Sequence, residues 1–184
     1  MASTVELEKT YLCSEIPEKY ISGSPIRMVD IYLPESVAHP TLRLRQKGNH
    51  YEITKKTPID NDPSRQKEDT IKLTKDEFEI LAKASSRKIE KYRFPIIFEG
   101  HDGELDVFTG EHIGLLLVDF EFNDTESQDK FSTPNFCSAD VTWENVIAGG
   151  ILSGVNSEEL FAQLQNKYRY VPISESLIDS FINT

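Results

Sequence analysis

The feature that most constrains this chain is a hairpin whose register can be read from the residues: Thr41-Leu42-Arg43-Leu44-Arg45-Gln46-Lys47, then Gly48-Asn49, then His50-Tyr51-Glu52-Ile53-Thr54-Lys55-Lys56. Two alternating runs around Gly-Asn predict antiparallel strands joined by a two-residue turn. That turn sets Lys47 opposite His50, Arg45 opposite Glu52 and Arg43 opposite Thr54, all on one face. Lys56 shares the face by parity, while Leu42, Leu44, Tyr51 and Ile53 take the other. One side of this sheet must be buried, and the other is dense with charge.

The same alternation recurs along the chain. Val5-Glu6-Leu7-Glu8 opens it; Arg27 to Leu33, Lys67 to Leu73, Glu90 to Phe98, Glu104 to Phe108 and Leu115 to Phe122 follow. Parity gathers the acids Glu6, Glu8, Asp30, Glu52, Glu68, Glu104, Asp106, Asp119 and Glu121 with the bases Arg43, Arg45, Lys56, Lys72, Lys91 and Arg93. The opposite face carries Val5, Leu7, Ile31, Leu44, Ile71, Phe94, Val118 and Phe120, which need cover. Helices are expected at 74–85, where Thr74 and Glu77 form a capping box, at 125–131 behind a second box (Thr125, Gln128), at 157–168 and at 175–182. The strand count of about eight predicts an α+β fold: a closed eight-stranded antiparallel β-barrel, a tunnel with a charged interior, padded outside by helices. The helices at 74–85 and 157–168 are expected to cover the apolar face, with the C-terminal helices from about 157 packing on the barrel or closing one end. Lys9, Lys55, Asp69 and Glu90 break the parity. The competing expectation is an open sheet whose charges lie in plain solvent. Against it stand six bases with few of the Ser, Thr and Gln residues that normally dilute a solvent face, and the like-charge pairs Glu6/Glu8 and Asp119/Glu121, which repel unless a cation lies between them.

A length of 184 residues is expected to form one domain spanning 1–184. The net charge of −11 disfavours a nucleic-acid partner but permits a local basic cavity for a phosphate ligand. No run approaches the roughly 18 apolar residues that span a bilayer, and Met1-Ala2-Ser3-Thr4 lacks the regions of a signal peptide, so no membrane association and a cytoplasmic location are expected. Cys13 and Cys137, far apart in sequence, read as isolated thiols that make neither a zinc site nor a disulfide framework. His39, His50, His101 and His112 are scattered, which gives no support to a covalent route.

Hard carboxylate oxygens on separate strands suit Mg2+ or Mn2+, which accept phosphate oxygens as remaining ligands. Arginine forks and lysine ammonium groups suit the phosphates themselves. Together they point to a metal-bound polyphosphate.

In order and spacing the motifs resemble the CYTH superfamily, also called triphosphate tunnel metalloenzymes. The resemblance covers residues 5 to 168 and rests on Glu6-x-Glu8, Leu-Arg-Leu-Arg at 42–45, Ile-Thr-Lys-Lys at 53–56, Glu68 in Lys-Glu-Asp-Thr-Ile-Lys-Leu, Lys91-Tyr92-Arg93, Leu-Asp-Val-Phe at 105–108 and Asp119-Phe120-Glu121-Phe122. It implies an eight-stranded tunnel that binds triphosphates with divalent metal and hydrolyses or cyclises them. By position it implies Glu6, Glu8, Asp119 and Glu121 as metal ligands with Glu68 assisting, and Arg43, Arg45, Lys56, Lys91 and Arg93 as the phosphate-binding set. The family signature Glu-x-Glu-x-Lys ends here in Thr10, and Gln66 stands where a basic residue usually precedes Glu68. The expected function is metal-dependent hydrolysis of inorganic triphosphate or a small organic triphosphate, by a monomer or homodimer. The alternatives are adenylate cyclisation, as in part of the family, and, because of Thr10, a non-catalytic polyphosphate- or nucleotide-binding module.

Overall fold

The computed structural model describes residues 7–59 and 62–183, with the side chains of 56–59 and 62–67 excepted. Its strands are β1 (Leu7–Cys13), β2 (Ile26–Leu33), β3 (Leu42–Lys47), β4 (His50–Ile59), β5 (Asp62–Leu73), β6 (Lys88–Phe98), β7 (His101–Thr109), β8 (Leu116–Phe122) and β9 (Cys137–Asp140). Its helices are α1 (Lys75–Leu81), α2 (Thr125–Lys130), α3 (Gly149–Leu152), α4 (Ser157–Tyr168) and α5 (Glu175–Ile182). Every strand pairing is antiparallel, and the order is β5-β4-β3-β2-β6-β7-β8-β1-β9.

This overturns the closed eight-stranded barrel. Among the described residues the sheet has nine strands and stays open, because β5 pairs only with β4 and β9 only with β1. A strand count cannot reveal whether the first and last strands meet, and β9 is too short to give a periodic signal. Both edges discourage further pairing in the usual ways: β9 has four residues, and β5 exposes Glu68, Asp69 and Lys72.

Local chemistry fixes the hairpins. The predicted register of β3 and β4 is observed, with Lys47 opposite His50, Arg45 opposite Glu52 and Arg43 opposite Thr54. β6 and β7 meet through Glu99-Gly100, both at positive φ (50° and 82°), the primed turn that matches strand twist. That turn sets Arg93 directly opposite Asp106. The Thr74–Glu77 capping box starts α1 as expected, with the Glu77 amide donating to Thr74 Oγ1 at 3.3 Å and the Thr74 amide to Glu77 Oε2 at 2.7 Å. The second box is displaced by one residue: Asp124 caps α2, its carboxylate accepting from the Ser127 amide at 2.8 Å. A carboxylate is an acceptor at least as good as the Thr125 hydroxyl, so the start moves to it.

Two apolar layers cover the outer face. Phe78 of α1 sits on Val29, Ile31 and Leu44, with its ring 5.3 Å from that of Tyr51. Phe131, just beyond α2, and Ile178 of α5 join Tyr11, Phe94, Val118, Phe120 and Phe122. The 157–168 helix does not pad this side. Leu160 and Leu164 of α4 pack with Leu12, Tyr32, Phe108 and Leu117, which share the parity of the charged face. They close one end of it.

The parity exceptions are accommodated individually. Lys9 reaches the Phe131 carbonyl at 3.3 Å, Lys55 the Thr41 hydroxyl at 2.7 Å, and Glu90 pairs with Arg27 and Lys88. Long side chains carry their charge to the rim while their stems cover apolar surface.

Candidate functional site

The charged face is concave. Residues of six strands line one cavity of about 360 Å³: Glu8 and Thr10 from β1, Asp30 from β2, Arg43 and Arg45 from β3, Lys91 from β6, Asp106 from β7 and Asp119 from β8. The charges are therefore not in plain solvent: Asp30 is 3%, Asp106 2% and Lys91 9% exposed. The segment 142–152 lies against the same cavity through Thr142, Glu144 and Gly149. Gly149 is required there, since a Cβ would stand 2.1 Å from the Tyr32 hydroxyl oxygen. A second cavity of about 500 Å³ adjoins at the β6–β7 turn, where Glu104, Asp119 and Glu121 meet His101 and Asp102.

At the acidic end, Glu8 lies directly opposite Glu121, and Thr10 opposite Asp119. Thr10 Oγ1 stands 2.7 Å from Asp119 Oδ1 and 3.2 Å from Glu8 Oε1. Its single proton serves the shorter contact. Burial, reinforced by the Asp106 and Glu8 charges, pushes the Asp119 carboxyl up to about 7, against the pull of the Thr10 hydroxyl. The Thr10 amide donates to Thr142 Oγ1 at 3.0 Å, and Thr142 Oγ1 donates to Asp140 Oδ1 at 2.6 Å, which ties the wall of the cavity to β1.

The bases are held by buried acids. Asp30 grips Arg45 bidentately, at 2.7 Å to Nε and 2.6 Å to Nη2. Asp106 accepts from Lys91 and, at 2.7 Å each, from Nε and Nη2 of Arg93, while Glu104 takes Arg93 Nη1. Burial alone would raise the Asp106 carboxyl, but Lys91 and Arg93 hold it below the usual range. Arg43 differs: its Nε is buried with no hydrogen-bond partner among the described residues.

The predicted site residues are thus brought together unequally. Arg43, Arg45, Lys91, Glu8 and Asp119 share the first cavity, and Glu121 joins Asp119 in the second. Arg93 lies between them through Asp106, Glu104 and Asp119, the last at 3.7 Å. Glu68 is exposed on the edge strand β5, opposite Lys56 in register, and lines neither cavity. Glu6 and the Lys56 side chain lie outside the described residues. Sequence reasoning gave Asp30 and Asp106 no role although their parity was correct, and it missed Thr142 and Gly149. No periodic signal marks the loop that carries those two.

No family model matches the chain. An inorganic triphosphatase of Nitrosomonas europaea is 33% identical over 139 residues, covering 74% of this chain and 89% of that protein. The chain belongs to the CYTH superfamily. Among solved CYTH structures, that of the inorganic triphosphatase NE1496 matches with a TM-score of 0.66 at 26% identity, over 84% of this chain and 98% of that one. A putative adenylate cyclase from Bacillus halodurans shares the fold at a TM-score of 0.50 and 16% identity, over 96% and 97% of the two chains. No helix among the described residues is long and apolar enough to cross a membrane.

The CYTH resemblance implies a divalent metal, and the donor chemistry fits one. Opposed glutamates and a partly buried aspartate offer hard oxygens, and Asp119, displaced upward first by burial, also feels the negative charges of Asp106 and Glu8. Among the described residues no three His, Cys, Asp or Glu side chains already converge as a metal cage. A cation that keeps its own waters and substrate oxygens needs only one or two carboxylates.

The Asp119 carboxyl has a thermodynamic consequence. Its folded pKa lies above the ordinary aspartate value, so the folded protein binds more protons than the unfolded chain between about pH 4 and 7. Stability of the metal-free protein is expected to fall as pH rises through that window. Denaturant titrations at pH 4.5 and 7.5 measure it, and Asp119→Asn is expected to flatten the slope; an equal slope in the variant would assign the effect elsewhere.

Proposed function

We propose that this protein hydrolyses a triphosphate, either inorganic triphosphate or a small organic one, on its concave charged face with Mg2+ or Mn2+. The observation that carries the reading is the shared cavity, with Glu8 and Asp119 on adjoining strands and Arg43, Arg45 and Lys91 on the strands that curl to meet them. The relation to an inorganic triphosphatase supports the same chemistry.

Glu8, Asp119 and Glu121 would hold the cation, with Glu6 completing the set, and the cation would supply Lewis-acid charge at phosphoryl oxygens. Arg43 lines the cavity, and its guanidinium is placed to take a phosphate oxygen. Asp30 occupies Nε and Nη2 of Arg45, which leaves its Nη1 edge for a second phosphate contact. Lys91 keeps two of its three N–H groups beyond Asp106. Lys56 belongs to the phosphate set; Glu68, its register partner on the edge strand β5, stands outside both cavities. These donors are fixed before substrate arrives, so they stabilise charge spread over the phosphoryl oxygens during in-line attack by water without reorganising. One unit over residues 1–184, acting in the cytoplasm as a monomer or homodimer, belongs to the same proposal.

The test is phosphate release from tripolyphosphate with MgCl2 or MnCl2. Turnover is expected, abolished by EDTA and recovered with excess metal. No release from tripolyphosphate, ATP or GTP with either metal would sink the reading. Thr10 favours one rival, because an uncharged hydroxyl stands beside Asp119 where the family signature has lysine. For that rival, calorimetry would show metal-dependent binding of tripolyphosphate without turnover.

A further inference from the structure

The fold brings together two cysteines that are 124 positions apart in sequence. Cys13 ends β1 and Cys137 begins β9, and the two are Cα partners in the antiparallel ladder. Their sulfurs are 3.8 Å apart. The pairing follows a register shift between Leu12 and Cys13, and it leaves the sulfurs to close from 3.8 Å to the roughly 2.05 Å of a disulfide. They are also the chain's only cysteines. Access is asymmetric: Cys13 is fully buried and Cys137 partly exposed.

We propose that Cys13 and Cys137 are a reversible redox pair, closed by a small-molecule disulfide such as oxidised glutathione, that clamps the edge strand β9 to β1. Cys137 loses its proton to solvent, and its thiolate attacks one sulfur of the oxidant. A mixed disulfide forms, the oxidant's S–S bond breaks and the first thiolate leaves. Cys13 then releases its proton and attacks the Cys137 sulfur, expelling the second thiolate. Two protein thiols are oxidised and one small disulfide is reduced to two thiols. Burial, followed by the Cys137 contact, pushes the Cys13 thiol well above its ordinary value, so Cys13 acts as the resolving partner and only the more exposed Cys137 meets the oxidant.

The clamp bears on the site because β1 carries Glu8 and Thr10. Three residues beyond Cys137, Asp140 holds Thr142 on the cavity wall. Closing the pair fastens both ends of that connection.

The test uses the full chain with oxidised glutathione, read by thiol titration, intact mass and non-reducing peptide mapping. In the wild type both thiols are expected to vanish together into one Cys13–Cys137 peptide that retains no glutathione and is reopened by dithiothreitol. Cys13→Ser is expected to trap glutathione on Cys137, and Cys137→Ser to leave Cys13 unmodified in the folded protein. The oxidised wild type is expected to melt roughly 5–15 °C higher than the reduced form, since the bond closes a long loop. A wild type that keeps glutathione on Cys137 beside a free Cys13 overturns the proposal, as does thiol loss only after unfolding or an unchanged melting temperature. The thiol readout is independent of triphosphate turnover.

Discussion

Asp106→Ala is expected to lower the melting temperature by on the order of 10 °C, the largest stability effect of any single substitution on the charged face. Asp106 is 2% exposed and accepts hydrogen bonds from Lys91 and from two nitrogens of Arg93. Alanine leaves a buried ammonium and a guanidinium without their shared counter-ion, and breaking a buried pair by removing one partner costs about 3–5 kcal/mol. Two cations meet at this carboxylate, so their mutual repulsion adds to that cost. Lys91→Met in the Asp106→Ala background is expected to recover part of the loss, because it removes one stranded charge. Differential scanning calorimetry measures both. A single-variant shift within about 2 °C would show that water reaches the site and screens it.

Glu8→Gln is expected to cut kcat for tripolyphosphate by on the order of 10²- to 10³-fold while leaving the metal-free protein as stable as before, or more so. Glu8 faces Glu121 across the β1–β8 ladder and adds to the negative field at Asp119. Without a cation these acids repel, so neutralising one relieves the fold. If they ligate a cation, as proposed, neutralising one would weaken its hold. Opposite signs for stability and activity separate ligation from a merely structural role. Activity within threefold of wild type, with the same metal dependence, would remove Glu8 from the metal set.

Parity made most of this site readable. Once Gly48-Asn49 set the hairpin register, Arg43 and Arg45 had to share a face with Glu52, and the ladder bears that out. The same reasoning placed Lys91 and Arg93 with Glu104 and Asp106 before the turn length was known, and the two-residue turn gives that arrangement. Closure was not legible, because it depends on whether β5 and β9 find one another, and no residue pattern within a strand encodes that encounter. Of the two places expected for α4, cover of the outer face and closure of one end, only the second is observed, for a related reason. Leu160 and Leu164 give an apolar stripe, but a stripe does not say which apolar surface it meets; here it meets Leu12 and Leu117 on the face otherwise given to charge. Thr142 and Gly149 were invisible because their positions follow from the path of a loop, in which the Asp140 carboxylate holds Thr142 and Gly149 lies close against the Tyr32 hydroxyl. Glu68 has the parity of the charged face, and on the edge strand β5 it lies outside the lining of both cavities.

The unpaired edges also bear on what the cavity can admit. In a closed barrel the radius is set by strand number and shear, so enlarging the lumen means breaking a ring of backbone hydrogen bonds. Here β5 and β9 share no ladder, and the sheet behaves as a split collar. Its ion pairs, such as Arg45 with Asp30 and Arg93 with Asp106, each join neighbouring strands, so the collar can widen between β5 and β9 while every ladder stays intact.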